Sequence, residues 1–157
     1  NDKLLFAHTD VGKVGGNGQP YWSGYSNLVV FGGPLANRVV EYYENIGKAK
    51  VKYAGTAKNC VIVLTAHPST QLLSVPVSSV GPSIDYFVVQ VFSDGTHHVI
   101  SLWGLTQWGT YASGVYFDGL YSSMSDLSCY WQIVKWQDQN GNGIPDHPAE
   151  FTVIASG

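Results

Sequence analysis

One stretch of the chain, residues 27–47, reads NLVVFGGPLANRVVEYYENIG and restricts the fold more than any other segment. Leu28 to Phe31 form an uninterrupted apolar run, which predicts a buried strand. Gly32 and Gly33 then favour a turn. Pro34 suits the first position of a helix, because the N–H that proline lacks would be an unpaired donor there. The first half of this stretch therefore predicts a strand that turns directly into a helix.

The second half of the same stretch predicts the helix itself. Val39, Val40 and Tyr43 place apolar groups at positions i, i+1 and i+4, which is one face of an α-helix. Gly47 ends the pattern, as glycine commonly does at a helix C-terminus. We interpret the whole stretch as a strand–turn–helix module.

The rest of the chain is dominated by short apolar runs separated by turn residues. DYFVVQVF and HHVISLW flank a turn and predict a β-hairpin, and SCYWQIVKWQ and EFTVIAS predict a second one. KVKYAG and CVIVLT also predict strands, whereas Pro76 in LLSVPVSSV favours an edge position. A helical pattern returns in GLTQWGTYASGVYFDGLY, weakened by its glycines. We therefore predict a single domain of the α+β (mixed) class, with a largely antiparallel β-sheet and one or two short helices.

The N-terminal residues combine a short apolar strand with a glycine-rich segment. The candidate assembly strand comprises Lys3, Leu4, Leu5, Phe6 and Ala7. Four glycines follow between Gly12 and Gly18, and such segments are flexible. We interpret residues 1–18 as a strand with a joint, and residues 19–157 as the globular domain. Two alternatives are open: the strand pairs within its own domain, or it completes the sheet of a neighbouring copy as a donor strand.

The segment DQNGNGIPD, residues 138–146, carries oxygen-bearing side chains at its positions one, three, five and nine. Gly143 occupies position six, where a sharp turn needs a residue that tolerates positive φ. Hard oxygen ligands at alternating positions around such a turn can surround one Ca²⁺, with a backbone carbonyl at position seven. The predicted calcium ligands are Asp138, Asn140, Asn142, Ile144, Asp146 and Glu150.

This loop is not an EF-hand, because Ala149 occupies position twelve, where an EF-hand has a bidentate glutamate, and strands instead of helices flank it. It resembles the shorter DxNxNGxxD calcium loops of thrombospondin type 3 and dockerin repeats. With two carboxylates, or three if Glu150 reaches the ion, we expect an affinity suited to extracellular calcium. A metal-free Asn-Gly turn is the alternative. No nucleophile and base accompany the loop in sequence, so we expect a structural cation.

The two cysteines, Cys60 and Cys129, both stand at the start of apolar runs, and neither belongs to a CxxC pair. This spacing argues against metal binding and thioredoxin-type chemistry. We predict a disulfide between them, with two buried thiols as the alternative.

Composition restricts the partners and the location of the protein. Charged residues make up only 12% of the chain, about half the usual share, and no run of Lys or Arg can follow a phosphate backbone, so we expect no nucleic-acid partner. No apolar stretch approaches the roughly 20 residues of a membrane span, so we expect no membrane insertion. A surface of neutral polar and aromatic groups is common in secreted proteins. The missing initiator Met favours a processed, extracellular form.

No constellation of catalytic residues stands out, and we predict that the protein is not an enzyme. The five histidines are scattered, and neither HExxH nor GxSxG occurs. The Gly32-Gly33-Pro34 turn lacks the patterns of dinucleotide and P-loop sites. Eight aromatic side chains could stack on a sugar, although such rings more often fill cores and interfaces: Tyr21, Trp22, Tyr25, Trp103, Trp108, Tyr111, Trp131 and Trp136.

VVFGGPLANRVVEYY resembles the strand–GGPxAN–helix segment of archaeal S-layer proteins and related secreted archaeal surface proteins. The later DYFVVQVFSDGTHHVISLWGLTQWGTYASGVYF is similar in layout to their strand, turn, strand and GTxAA-helix section, although Ser113 and Gly114 stand where that pattern has alanine. The resemblance covers about half of the chain and implies a structural role in ordered extracellular arrays. At 157 residues the chain is far shorter than a lattice S-layer protein, which favours the subunit of an extracellular filament or tube.

Together these features predict a secreted, calcium-stabilised structural subunit that assembles with copies of itself, with residues 3–7 as the candidate donor strand. The alternative is a monomeric module that binds a cell-surface or cell-wall glycan.

Overall fold

Two β-sheets organise the chain in the computed structural model, which describes residues 4–6, 14–21, 27–123 and 131–157. The larger sheet has six strands in the order β1-β2-β7-β6-β8-β9, and the smaller has the order β3-β4-β5. The elements within these ranges are β1 (Leu4–Phe6), β2 (Asn27–Phe31), α1 (Arg38–Asn45), β3 (Val51–Tyr53), β4 (Asn59–Leu64), β5 (Gln71–Pro76), β6 (Ile84–Asp94), β7 (His97–Gly104), α2 (Gln107–Ser123), β8 (Trp131–Gln137) and β9 (Phe151–Ser156), with 3-10 turns at Val77–Ser79 and Pro148–Glu150.

Most neighbouring strands are antiparallel, and both predicted hairpins, β6–β7 and β8–β9, are present. The two exceptions are β1–β2 and β2–β7, which pair in parallel. β5 lies at an edge of the smaller sheet, as the proline in its sequence predicts. The predicted single α+β domain with a largely antiparallel sheet is therefore confirmed.

The larger sheet is a middle layer with apolar side chains on both faces. α1 and the smaller sheet cover one face, and α2 covers the other. Consecutive residues of a strand point to opposite faces. In β2, Leu28 and Val30 accordingly pack towards α1, and Val29 packs towards α2. All three are buried, so β2 is the doubly covered strand that its uninterrupted apolar run predicts.

The short strand β1 lies at the edge of the larger sheet, next to β2. It pairs in parallel register, with Leu5 opposite Leu28 and Phe6 opposite Val29. β7 occupies the other side of β2. In this arrangement β1 pairs within its own chain and covers the backbone edge of a buried strand. Lys3 and Ala7, the outer residues of the predicted assembly strand, lie outside the described residues.

The described half of the predicted glycine-rich joint forms a closed turn. Val14 pairs with Pro20, and the Gly15 N–H donates to the Gln19 carbonyl at 2.8 Å. Gly18 is buried with a φ of 89°, and a Cβ atom there would lie 2.0 Å from the Arg38 carbonyl oxygen of α1. Residues 14–20 therefore pack against α1 and do not form an open linker. Residues 7–13 lie outside the described part of the chain.

α1 begins later than the sequence predicts. Pro34 does not occupy the first helical position but lies in a turn closed by the Asn37 N–H and the Gly33 carbonyl at 2.8 Å. The Asn37 side-chain oxygen accepts from the N–H groups of Val39 at 2.9 Å and Val40 at 3.4 Å. Asparagine satisfies two free donors of the helix at once, which explains why the helix starts after Asn37.

The end of α1 is where the sequence predicts it. Gly47 adopts a φ of 73°, and its N–H donates to the Glu44 carbonyl at 3.2 Å. The Lys48 N–H donates to the Tyr43 carbonyl at 3.0 Å. This pair of bonds is the Schellman motif, in which glycine provides the left-handed residue without steric cost.

α2 packs closely on the end of β7, because two glycines meet there. A Cβ atom on Gly104 would lie 2.2 Å from backbone atoms of Gly109 and Thr110. The buried Asp85 carboxylate of β6 caps the helix by accepting from the Gly109 N–H at 2.7 Å and from the Thr106 N–H at 3.1 Å. The glycines that weaken α2 as an isolated helix thus allow its contact with the sheet.

We expect Gly104→Ala to lower the free energy of unfolding by about 1–3 kcal/mol or more, because the added methyl group would overlap the backbone of α2. Gly119→Ala is the matched control: Gly119 is exposed on the same helix, and a Cβ atom there meets nothing within 4 Å. The control should be neutral or slightly stabilising, since alanine favours a helix over glycine. Urea unfolding of both variants measures the difference, and equal stabilities would refute the close contact.

Candidate functional site

The predicted calcium loop connects β8 to β9 at one end of the larger sheet. Its first residue, Asp138, is anchored by its own N–H, which donates to the Ser83 carbonyl before β6 at 2.9 Å. Most of the loop is exposed, with Pro145 and Glu150 buried. The loop therefore projects from a fixed hairpin whose base belongs to the core.

The Asp138 carboxylate organises the first turn of the loop. Oδ1 accepts from the Gly141 N–H at 2.8 Å, and Oδ2 accepts from the Gly143 N–H at 2.9 Å. Both glycines have left-handed backbones, with φ values of 75° and 72°. The chain thus winds around the carboxylate at position one, and Gly143 makes the sharp turn that the sequence predicts at position six.

Three more predicted ligands converge on the far side of the turn. The side-chain amides of Asn140 and Asn142 donate to Oδ1 and Oδ2 of Asp146 at 3.1 and 2.8 Å. Their oxygens accept backbone N–H groups: Asn142 donates to Asn140 at 2.9 Å, and Ile144 donates to Asn142 at 2.7 Å. The side chains at positions three, five and nine therefore form one hydrogen-bonded group.

Glu150 lies beneath this group and is only 2% exposed. Its Oε2 accepts from the indole N–H of Trp136 at 3.2 Å and from the Asp146 N–H at 3.3 Å. Its Oε1 accepts from the Gln139 N–H at 3.3 Å. A buried carboxylate with three donors ties β8 to both ends of the loop. Sequence reasoning identified Glu150 only as a ligand and missed this bracing contact, which depends on the buried Trp136.

The chemistry of this group suits a hard cation. Its side chains offer carboxylate and amide oxygens, the ligand types that Ca²⁺ takes in sets of six to eight. Within the described ranges, no three His, Cys, Asp or Glu side chains are grouped to hold a metal ion. A cation in this loop would therefore use the amide oxygens of Asn140 and Asn142 beside Asp138 and Asp146. Calcium binding by these residues stays a prediction.

The predicted disulfide falls partly outside the described residues. Cys60 is buried in β4, whereas Cys129 lies in the undescribed range 124–130. Burial raises the pKa of the Cys60 thiol, and its hydrogen bond with Tyr53 acts in the opposite direction. The pairing of the two cysteines stays a prediction.

A second acid, Glu44 on α1, is buried away from the loop. Both of its carboxylate oxygens lie 3.3 Å from the Tyr53 N–H of β3. Burial raises the pKa of Glu44 to about 8, although the Tyr53 N–H and the nearby Lys52 oppose the shift. Its position between α1 and the smaller sheet makes it part of the core packing.

A cavity of about 380 Å³ opens where β2 and β7 end and the two helices approach. Its lining is mostly apolar and includes Leu35, Tyr53, Trp103 and Leu105. The nearby helix starts are already capped, α1 by Asn37 and α2 by Asp85. The Gly32-Gly33-Pro34 turn beside the cavity thus leads into the capped start of α1. The cavity offers a ligand little beyond apolar surface.

Two of the aromatic side chains considered for sugar stacking lie in the core. Trp103 and Trp136 are fully buried, and Tyr21 and Tyr111 are about half exposed on different segments. Trp22 and Tyr25 lie outside the described residues. Two of the five tryptophans are therefore core residues, which leaves less aromatic surface for a glycan.

We expect Glu150→Ala to lower the free energy of unfolding by about 2–3 kcal/mol, because it leaves the buried Trp136 N–H and two backbone donors without their acceptor. Glu41→Ala, which removes an exposed acid from α1, is the control and should have a small effect. Chemical unfolding followed by tryptophan fluorescence measures both. A loss below about 0.5 kcal/mol for Glu150→Ala, the range of ordinary surface substitutions, would contradict the bracing role.

Comparisons with known proteins give no relative. No protein-family model, no curated protein and no solved structure matches this chain. None of the helices in the described ranges has the length and apolar character needed to cross a membrane. The resemblances to archaeal surface proteins and to secreted calcium loops stay predictions.

Proposed function

We propose that this protein is a non-enzymatic structural subunit that acts outside the cell and assembles with copies of itself. Assembly would use exchange of β1 between copies, and calcium would stabilise the loop of residues 138–146. The observation that carries the proposal is the position of β1: a three-residue N-terminal strand covers the edge of a buried parallel strand. The low charge of the chain, 12%, suits a surface that packs against copies of itself.

β1 has the properties that strand exchange requires. It is short and lies at an edge, so its release breaks fewer contacts than release of an inner strand would. The buried strand β2 needs a partner along this edge, because unpaired backbone groups next to a core are costly. The β1 of another copy offers the same hydrogen bonds and side chains. Exchange of an identical element is a low-cost route to assembly.

The connection after β1 limits how far apart exchanging copies can be. Residues 14–20 are fixed against α1 through Gly18, so a donated β1 would have to extend from that point. The seven residues from 7 to 13 span at most about 25 Å when fully extended. Copies that exchange β1 without rearranging residues 14–20 must therefore lie in direct contact, which favours a compact filament or tube.

Calcium binding by the loop between β8 and β9 is the second part of the proposed function. Asp138 and Asp146 supply two carboxylates, Asn140 and Asn142 supply amide oxygens, and the carbonyl of Ile144 would complete the set. Glu150 would support the loop from beneath through the contacts described above. Bound calcium would offset the negative charges and fix the exposed hairpin, which suits a subunit exposed to millimolar extracellular calcium.

The alternative of a monomeric glycan-binding module has less support. Trp103 and Trp136 are buried, so they cannot stack on a sugar in this structure. Binding to a glycan array by a chain that stays monomeric would favour this alternative over assembly.

Deletion of residues 1–6 removes all of β1 and should abolish polymer formation, because no copy then carries a donor strand. Deletion of residues 1–3 is the matched control: it shortens the same terminus but leaves Leu4–Phe6, and it should still assemble. Sedimentation and electron microscopy of the two variants measure the difference. Addition of a synthetic peptide of residues 1–7 to the shorter chain should give a discrete complex, whereas a scrambled peptide should not bind. Normal polymers from the chain without residues 1–6 would rule out strand exchange.

We expect calcium at ten times its dissociation constant to raise the free energy of unfolding by about 1.4 kcal/mol, because it binds the folded loop and not the unfolded chain. The double variant Asp138→Asn, Asp146→Asn should lose this stabilisation, since it removes both ligand carboxylates. Asp118→Asn, a change at an exposed acid of α2, should keep it. Thermal unfolding with calcium and with chelator provides the test. A calcium response that persists in the double variant would place the site elsewhere.

A further inference from the structure

The loop between β8 and β9 contains a second chemical feature besides its oxygen ligands. It holds two consecutive Asn-Gly pairs, Asn140-Gly141 and Asn142-Gly143, and Asn17-Gly18 is the third such pair in the sequence. In an Asn-Gly pair the backbone nitrogen of glycine can attack the side-chain carbonyl carbon of the asparagine. Glycine favours this attack because it has no side chain to hinder the approach and its backbone is mobile.

The reaction needs no reactant other than water. A bond forms between the glycine nitrogen and Cγ of the asparagine, and the Cγ–Nδ2 bond breaks. The glycine nitrogen loses its proton to solvent, and the amide leaves as ammonia after taking up a proton. Water then opens the cyclic imide at one of its two carbonyl groups. The product is aspartate, or isoaspartate when the backbone carbonyl is the one opened.

The two pairs in the loop and the third pair differ in how closely other atoms pack around the glycine. Asn140, Asn142 and Gly141 are exposed, and Gly143 is half-buried. A Cβ atom on either loop glycine would meet nothing within 4 Å, so the surrounding space leaves room for rearrangement.

Asn17 is also exposed, but its glycine is fixed. Gly18 is buried, and its N–H donates to the Gly15 carbonyl at 2.9 Å. The Gly18 Cα is packed so closely on the Arg38 carbonyl of α1 that no additional atom fits. Attack by this nitrogen would require residues 14–20 to separate from the helix.

We propose that Asn140 and Asn142 are sites of spontaneous deamidation, and that calcium in the loop controls the rate. The second part rests on the proposed calcium site, and the first part does not. In the structure the two amide groups donate to Asp146, and the two attacking nitrogens donate to Asp138. In each pair, the bond from the asparagine amide to Asp146 and the bond from the glycine nitrogen to Asp138 have to open before that nitrogen can reach Cγ.

Calcium adds to the free energy of that opening. A ligand that binds only the closed loop lowers the population of the open loop by the factor 1 + [Ca²⁺]/Kd. Calcium at ten times its dissociation constant should therefore slow deamidation about tenfold. The amide oxygens that calcium would hold belong to the side chains that react, so protection should be greatest at these two residues.

The products would change the site that they arise from. Aspartate at position three or five adds a carboxylate to the ligand set and strengthens the attraction for a cation. Isoaspartate places an additional carbon in the backbone and shifts every later ligand out of the one, three, five and nine spacing. The calcium affinity of a loop that has been kept without calcium would therefore change with time as its asparagines deamidate.

The test incubates the full-length chain at mildly alkaline pH with calcium or with chelator, and follows peptides by mass spectrometry over time. In chelator we expect conversion at Asn140 and Asn142 to be at least several-fold faster than at Asn17. With calcium at ten times its dissociation constant, measured separately by calorimetry, conversion in the loop should slow about tenfold and Asn17 should be unaffected. The double variant Asn140→Gln, Asn142→Gln is the control and should show no conversion in the loop, because glutamine would have to form a larger ring.

The results test the deamidation sites and the effect of calcium on the rate separately. Conversion in chelator that is no faster at the loop than at Asn17 would overturn the assignment of the sites. Equal rates with and without calcium, when calorimetry shows calcium bound, would overturn the control of the rate. Equal rates without any calcium binding would overturn the calcium site itself, while fast conversion at Asn140 and Asn142 would still support the deamidation sites.

Discussion

The burial of β2 on both faces is the constraint on which the rest of the structure depends. Leu28, Val29 and Val30 direct apolar side chains into both cores, so the strand needs neighbours that satisfy its backbone on both edges. β7 provides one edge from within the domain, and β1 provides the other from the N-terminus. The outer partner of this buried strand is thus a strand of only three residues at the edge of the sheet.

The two features on which the proposed function rests lie at opposite edges of the larger sheet. β1 is the first strand in the spatial order, and the β8–β9 hairpin that carries the loop is at the other end. Glu150 links this loop to the core through Trp136, so changes in the loop act on the hairpin that closes the sheet. The proposed strand exchange at one edge and the proposed cation site at the other can therefore be tested by separate mutations.

The sequence predicted those features that arise from local pattern. The apolar run of β2, the Gly47 stop of α1 and both hairpins follow from residues close in sequence. The predicted start of α1 at Pro34 was wrong. The ability of Asn37 to cap two N–H groups outweighs the preference of Pro34 for the first turn of a helix. The contact between Gly104 and Gly109 and the contact between Glu150 and Trp136 depend on long-range packing, which no local pattern indicates. The loop spacing predicted a set of calcium ligands, but it did not indicate that the Glu150 carboxylate would brace the loop from the core.

Electron microscopy of the full-length chain, with millimolar calcium and with chelator, tests the central claim most directly. The account predicts filaments or tubes that form with calcium and shorten or disperse when calcium is removed. A uniform monomer under both conditions would contradict it.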